Sequence, residues 1–416
     1  MLKEIVRAHK AERDKLIKSN YIPREGLEKA RVGLSAQLVK IITGPRRAGK
    51  SVFAIEILKE TDFAYLNFDD ERLLNINDND LLIKHIHEIY GTTKYLLFDE
   101  IQNLNQWELF INRLQRAGYN IILTGSNSRL LSREMATHLT GRFIPHNLYT
   151  FSFAEFLIVR GGKIAEQLTQ IEQGKILHLL YEYQSLGGYP EIIVNHLEPG
   201  DYLKILFNSI IFKDVVRRYN IRYSQSLYDL ALFLVSNYAG EFSYTKLKNL
   251  TQIGSVHTIQ NYVSYLEEAY LLFSVKRFSF KPKEQLKAPA KIYVYDTGLA
   301  TSLRLTLSPD LGRLMENRVA IELMRRQKEF YYYKDATGIE VDFIIKEKLK
   351  LVELIQVCYD VSSPKTKSRE IKSLIKAGHQ LKINSLTVIT WDYKKEESVN
   401  DFAIHFIPLW KWLLEE

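Results

Sequence analysis

The sequence predicts an α/β fold, and three apolar runs carry the prediction. Leu38–Thr43 leads directly into Gly44-Pro-Arg-Arg-Ala-Gly-Lys-Ser51 and then into an apolar-periodic stretch, Val52–Lys59. Tyr95–Phe98 ends in Asp99-Glu100, and Asn120–Thr124 ends in Gly125-Ser-Asn127. Short apolar runs bounded by glycine and polar residues read as buried strands, and the periodic stretch reads as a helix. At 416 residues, 46% hydrophobic and 25% charged, the chain is long enough for two to four packed domains. It has no low-complexity tract and no internal repeat, which excludes a disordered chain and a solenoid. No stretch reaches the roughly 18 uninterrupted apolar residues of a membrane span. The first residues, Met-Leu-Lys-Glu-Ile-Val-Arg, are charged where a signal peptide is apolar. A cytoplasmic protein without a membrane partner is therefore expected. The single cysteine, Cys358, rules out an internal disulfide and speaks against zinc or redox chemistry.

The first run and its loop have the G-x-x-x-x-G-K-S spacing between a strand and a helix. Gly44 and Gly49 let the intervening segment Pro45, Arg46, Arg47 and Ala48 curl around phosphates with its backbone N–H groups, those after Pro45, turned inward. The helix that follows aims its positive end at them. Lys50 would reach the β- and γ-phosphates of ATP, and the Ser51 hydroxyl would coordinate Mg²⁺. Asp99 would hold Mg²⁺ through water, and Glu100 would polarise the attacking water, which marks a hydrolase rather than a small-molecule kinase. Thr124 or Ser126, after the third strand, would sense the γ-phosphate between the two carboxylates. The alternative is a capping turn before a helix at Ser128–Glu134.

These residues, with Trp107, Leu123–Leu131, Leu139-Thr-Gly-Arg142 and Phe151-Ser-Phe-Ala-Glu-Phe156, resemble the prokaryotic AAA-like P-loop ATPases that carry a C-terminal restriction-endonuclease-like domain. The resemblance covers nearly the whole chain and implies an AAA-like ATPase domain over residues 1–155. It also makes Arg142 the arginine that touches the γ-phosphate, in cis or from a neighbour in a homo-oligomer. The other reading of Arg142 is a surface arginine at a helix end.

Residues 156–223 read as a helical lid, with an amphipathic helix over Glu166–Tyr183, a family-like turn at Gly187-Gly-Tyr-Pro-Glu191, and a further helix over 200–223. That last helix ends in Lys213–Arg218, whose arginines either approach nucleotide or a neighbour, or face solvent. Residues 224–300 read as a winged-helix domain. Ser243 caps Tyr244–Leu250, Ser255 caps a longer helix, and His257, Thr258, Gln260 and Asn261 lie on its outer face. Strands Leu271–Phe280 and Lys291–Tyr295 would form the wing.

Of the net charge of +8, the largest share lies in residues 201–300, with 13 Lys and Arg against 8 Asp and Glu. The loop 276–291 concentrates it in Lys276, Arg277, Lys281, Lys283, Lys287 and Lys291, either to clamp DNA phosphates or as a solvated surface. A winged helix beside a P-loop domain serves equally as a protein contact.

Residues 301–416 look like a restriction-endonuclease-like domain: a helix over 313–327 led by Glu316, strands at Phe330–Tyr333 and Glu340–Ile345, and a third at Leu351–Tyr359. Active members pair a helix glutamate and a strand aspartate, here Glu316 and Asp342, with Glu-x-Lys. This chain has Gln356-Val-Cys358 instead, so no DNA cutting is expected. The expected function is a Mg²⁺-dependent ATPase that couples hydrolysis to rearrangement of the winged-helix and nuclease-like domains on DNA. The alternative is a nucleotide-controlled signalling or scaffold switch that acts on a protein partner.

Overall fold

The structure is a computed structural model and describes residues 2–74, 76, 78–128, 142–162, 168–251, 253–305 and 310–415. It divides into two compact units, Met1–Thr150 with Glu268–Tyr270, and Phe151–Glu267 with Leu271–Glu416. The second unit opens with the helix Phe153–Val159, which the capping box of Ser152 and Glu155 starts.

The first unit is a parallel five-stranded sheet of β1 (Val39–Thr43), β2 (Phe63–Asn67), β3 (Tyr95–Asp99), β4 (Asn120–Gly125) and β5 (Phe143–Asn147), in the order β2-β3-β4-β1-β5. Its strands are apolar on both faces. Val39, Ile41, Leu96, Phe98, Ile121 and Leu123 enter one core, which the helices Leu2–Lys18, Asn79–Tyr90 and Trp107–Arg116 complete. Ile42, Tyr65, Leu97 and Ile122 enter the other, against Phe53 and Ile57 of the helix Lys50–Leu58. The expected helix at Ser128–Glu134 and the run Leu139–Gly141 lie outside the described residues, apart from Ser128.

The second unit begins with the helices Phe153–Val159, Gln170–Leu186, Pro190–Asn195 and Pro199–Ser209. The continuous helix expected over 200–223 changes instead to a π-helix at Ile210–Val216. Apolar periodicity hardly separates i→i+5 from i→i+4 bonding over one or two turns, so the sequence pattern did not reveal it. The helix Ser224–Ser236, β6 (Gly240–Phe242), the helices Tyr244–Leu250 and Val256–Glu268, β7 (Leu272–Lys276) and β8 (Ala290–Val294) follow, with an antiparallel sheet in the order β6-β8-β7. β7 stops short of the expected Phe280. Beyond Lys276, Arg277 bridges to Tyr332, the Phe278 N–H donates to the Tyr332 carbonyl at 2.7 Å, and the Phe278 ring packs on the C-terminal core. The basic loop after it holds a short helix, Pro282–Lys287.

The C-terminal part of this unit is a six-stranded mixed sheet of β9 (Glu329–Lys334), β10 (Glu340–Glu347), β11 (Lys350–Cys358), β12 (Leu386–Thr390), β13 (Lys395–Val399) and β14 (Phe402–Pro408), in the order β13-β14-β12-β11-β10-β9. The helix Leu311–Arg325 precedes it, and the helix Pro364–Leu381 crosses between the parallel strands β11 and β12.

Buried polar ties join the segments of this unit. The Gly188 N–H donates to Asp296 at 2.8 Å, and a Cβ on Gly187, whose φ is 79°, would lie 1.9 Å from the Asp296 carboxylate. The Gly-Gly turn is therefore fixed by close approach. The buried Arg318 guanidinium donates to Gln184, the Tyr183 carbonyl and Thr297. No helix among the described residues is long and apolar enough to cross a membrane.

Candidate functional site: a phosphate loop and two carboxylates

β1 delivers the chain to Gly44, where φ is 150° and a Cβ would stand 1.8 Å from the Leu148 carbonyl oxygen. Only glycine fits. Gly49, at φ 92°, turns the chain into the helix Lys50–Leu58, and Arg47 also takes a left-handed conformation, at φ 65°. Between them lie Pro45, half-exposed Arg46 and buried Ala48. The Lys50 ammonium is buried and donates to the loop's own Gly44 and Pro45 carbonyls at 3.1 and 2.9 Å. Arg24 was not anticipated from the sequence. It is buried and ties the loop down, donating to the Ala48 carbonyl at 2.8 Å and the Tyr149 carbonyl at 2.6 Å.

Because β4 lies between β1 and β3, its end faces both the loop and the carboxylates. The Thr124 hydroxyl donates to Asp99 and accepts the Glu100 N–H at 3.2 Å. Ser126 donates to Glu100 Oε2 through its N–H at 3.3 Å and its hydroxyl at 3.1 Å. Thr124 thus meets both carboxyl residues and Ser126 meets one. Gln102 also donates to Glu100, and the buried Tyr65 hydroxyl lies 3.4 Å from Asp99. Neither was anticipated from the sequence. Glu100 holds φ at 49°, a conformation a non-glycine residue keeps only when its surroundings impose it.

Burial and the adjacent Glu100 charge push the Asp99 carboxyl up from its ordinary value, while the Thr124 and Ser51 hydroxyls and Lys50 offset part of the rise. Burial acts in the same direction on Glu100, but Lys50, Gln102, Arg46 and the Ser126 N–H outweigh it and hold that carboxyl low. Glu100 is therefore ionised at neutral pH. Ser51 and Asp99, in hydrogen-bond contact, are hard oxygen donors beside a loop too close-packed for a Cβ at Gly44, so the residues fit Mg²⁺ and a phosphate chain.

Arg142 is exposed and precedes β5, where its carbonyl accepts the Val39 N–H at 3.1 Å. β5 runs parallel to β1 with Val39 beside Phe143, so Arg142 lies at the start of β1 while the phosphate loop leaves its end. The length of the strand, about 16 Å, exceeds the reach of an arginine. A cis contact with a phosphate at the loop therefore does not fit the register, which leaves the surface-arginine and neighbouring-subunit readings of this residue.

Residues 36–157 match the family described as AAA domain, residues 177–310 a domain of unknown function, DUF8612, and residues 311–412 another, DUF4143. The chain is 38% identical over 397 residues to an uncharacterized protein of Methanocaldococcus jannaschii, covering 90% of this chain and 88% of that protein. It belongs to the same family. An uncharacterized Haemophilus influenzae protein is 28% identical over 91% of this chain and 94% of its own length. Among solved structures, the Walker-type ATPase PABY2304 of Pyrococcus abyssi is similar at TM-score 0.46 and 16% identity, covering 70% of this chain and all of that one.

Outside the AAA domain, Glu316 and Asp342 do come together, around Lys291, which the sequence places where the basic loop meets the strand Lys291–Tyr295. Lys291 is not on the loop surface. It lies in β8, only 4% of its side chain is exposed, and its ammonium stands 2.9 Å from Glu316, 2.8 Å from Glu340 and 3.2 Å from Asp342. Burial alone would pull its pKa down, but the three carboxylates reverse the effect and keep it charged. The Tyr293 hydroxyl donates to Glu316 at 2.6 Å. Gln356 accepts the Asp342 N–H at 3.3 Å and donates to Glu370 at 2.9 Å, while Cys358 donates to the Asp360 carbonyl. Glu353 accepts from Thr387 at 2.6 Å.

Proposed function

We propose that the protein binds ATP with Mg²⁺ and hydrolyses it. The observation that carries this reading is the grouping, at the ends of β1 and β3 on either side of β4, of a buried lysine on a glycine-bounded loop, a buried aspartate against Ser51, and an ionised glutamate. Lys50 would leave the loop carbonyls for the β- and γ-phosphates. The backbone of residues 44–49 would cradle them, Ser51 and Asp99 would hold Mg²⁺, and Glu100 would take a proton from the attacking water. Bound Mg²⁺ would neutralise phosphate charge. Thr124 and Ser126 would position Glu100. Replacing Glu100 by Gln keeps the shape and removes the base, so ATP should bind with an affinity within a few-fold of the parent while phosphate release stops. Equilibrium binding of a fluorescent ATP beside a phosphate-release assay checks this, and loss of binding would make Glu100 structural.

The second unit we read as a winged helix followed by a restriction-endonuclease-like domain, with action on DNA as the output. The reading draws on two capped helices, Tyr244–Leu250 and Val256–Glu268, next to a three-stranded antiparallel sheet. The exposed His257 and Gln260 lie at the start of the second helix. The ATPase rate with and without duplex DNA, together with molecular mass with and without nucleotide, tests it: stimulation by DNA favours this reading, and no DNA binding at low salt favours the protein-partner switch.

In the same reading the C-terminal domain does not cut DNA. The Lys291 ammonium fills the space among Glu316, Glu340 and Asp342, and Gln356 brings no charge to it. Plasmid incubated with the protein and Mg²⁺ or Mn²⁺ should stay intact. Cleavage that disappears on Asp342→Ala would overturn this.

A further inference from the structure

The helix Pro364–Leu381 carries five Lys or Arg residues and a single acid. Lys365, Arg369, Lys372 and Lys376 are all exposed and follow one another at spacings of four, three and four residues, which places them on one face. The opposite face, with Leu374, Ala377 and Leu381, enters the core. Lys367 is engaged by Glu397 at 2.6 Å and Arg369 by the adjacent Glu370 at 2.5 Å. Lys365, Lys372 and Lys376 have no carboxylate partner among the described residues. At 1.5 Å per residue the stripe from Lys365 to Lys376 is about 16 Å long.

This face lines a groove of about 1200 Å³ shared with Ile339, Val399 and Asn400. The end of the same helix, at Gln380 and Leu381, lines a second cleft together with Arg277 and Phe280. Arg277 in turn lines a third with Lys281, Lys283 and Lys287. The second cleft also carries Glu284 and Asp335, and Lys281 pairs with Glu284 at 3.0 Å, so the cations lie on both sides of it, on the helix and on the loop that follows β7, where Phe280 presents an exposed aromatic ring.

We infer that the helix Pro364–Leu381 and the loop 277–287 form one surface that binds the phosphate backbone of nucleic acid. The inference rests on the proposed action on DNA and adds the helix, which the sequence reading did not single out. The groove floor at Ile371 and Ile375 would also suit an acidic peptide. Cations beyond the groove, at Arg277, Lys283 and Lys287 on the far side of the second cleft, favour the longer ligand.

The test compares the full-length protein with two charge-reversed variants, Lys365→Glu/Lys372→Glu/Lys376→Glu on the helix and Lys281→Glu/Lys283→Glu/Lys287→Glu on the loop. Binding to a labelled duplex and a labelled single strand is followed by anisotropy across a salt series. Each phosphate contact contributes about 0.9 to the log–log salt slope on duplex, so the helix variant should lower the slope by about 3. Thermal midpoints report whether each variant is folded, and the corresponding Lys→Ala triple replaces one that is not. If only the loop variant weakens binding and the helix variant keeps the parent slope, the inference about the helix fails and the DNA reading stands. If the parent binds neither nucleic acid at low salt, both fail, and capture of polyglutamate in that case assigns the groove to an acidic peptide.

Discussion

Replacing Lys50 by Ala is expected to abolish ATP hydrolysis and to weaken nucleotide binding sharply. Its ammonium is buried and held by the Gly44 and Pro45 carbonyls, and on the proposed reading it is the cation that would meet the phosphate chain. No water replaces it at comparable strength inside a close-packed loop. Loss of one such charge at a site where negative charge develops costs about 3 kcal/mol or more, on the order of 10²-fold or more in rate. The charge is also removed from Glu100, whose carboxyl Lys50 holds low, so the general base would be less fully ionised in the variant. Phosphate release and equilibrium binding of a fluorescent ATP measure the two effects. Turnover at the parent rate in a folded Lys50→Ala protein would sink the assignment of the site.

Replacing Lys291 by Met should destabilise the second unit by about 3–5 kcal/mol, because it leaves three carboxylates around an uncharged stem. Glu316, which burial and the neighbouring Asp342 already push above the usual carboxylate range, would lose the cation that opposes both. Two of the three acids are almost fully buried, with 12% and 9% of the Glu316 and Asp342 side chains exposed, so solvent screens little of the loss. Urea unfolding followed by tryptophan fluorescence reads it, since Trp391, Trp410 and Trp412 all lie in this unit and only Trp107 in the other. Adding Glu316→Gln and Asp342→Asn to the Lys291→Met chain should recover much of the stability. A shift under about 1 kcal/mol in the single variant would mean that the cluster is hydrated and carries little of the fold.

The phosphate loop and the pair Asp99-Glu100 were legible because each is a contiguous string whose residue types are dictated by backbone geometry. Gly44 must be glycine where Leu148 closes on it, and a run of four apolar residues ending in two acids has few other readings. Strand order was not legible. That β4 lies between β1 and β3 depends on which apolar strands pair, and Thr124 reaches Asp99 only because of it. The same limit applies to Arg142, whose residue type suits a phosphate contact and whose position, fixed by the β1–β5 register, puts it at the other end of the sheet.

By itself the sequence determined the α/β character of the first unit, the glycine-bounded loop between strand and helix, the strand that ends in the two carboxylates, and the two capped helices, Tyr244–Leu250 and Val256–Glu268. These rest on neighbours within a few residues, where periodicity and spacing act directly. The tertiary structure alone decided the fate of the charges. Lys291 reads as one more cation in a basic loop until it meets Glu316, 25 residues on, and Asp342, 51 residues on. Lys365, Lys372 and Lys376 are brought onto one exposed face by the helix Pro364–Leu381, whose other face enters the core. A lysine's role follows from whether its surroundings desolvate it, pair it or leave it free, and that is a property of the folded position rather than of the residue.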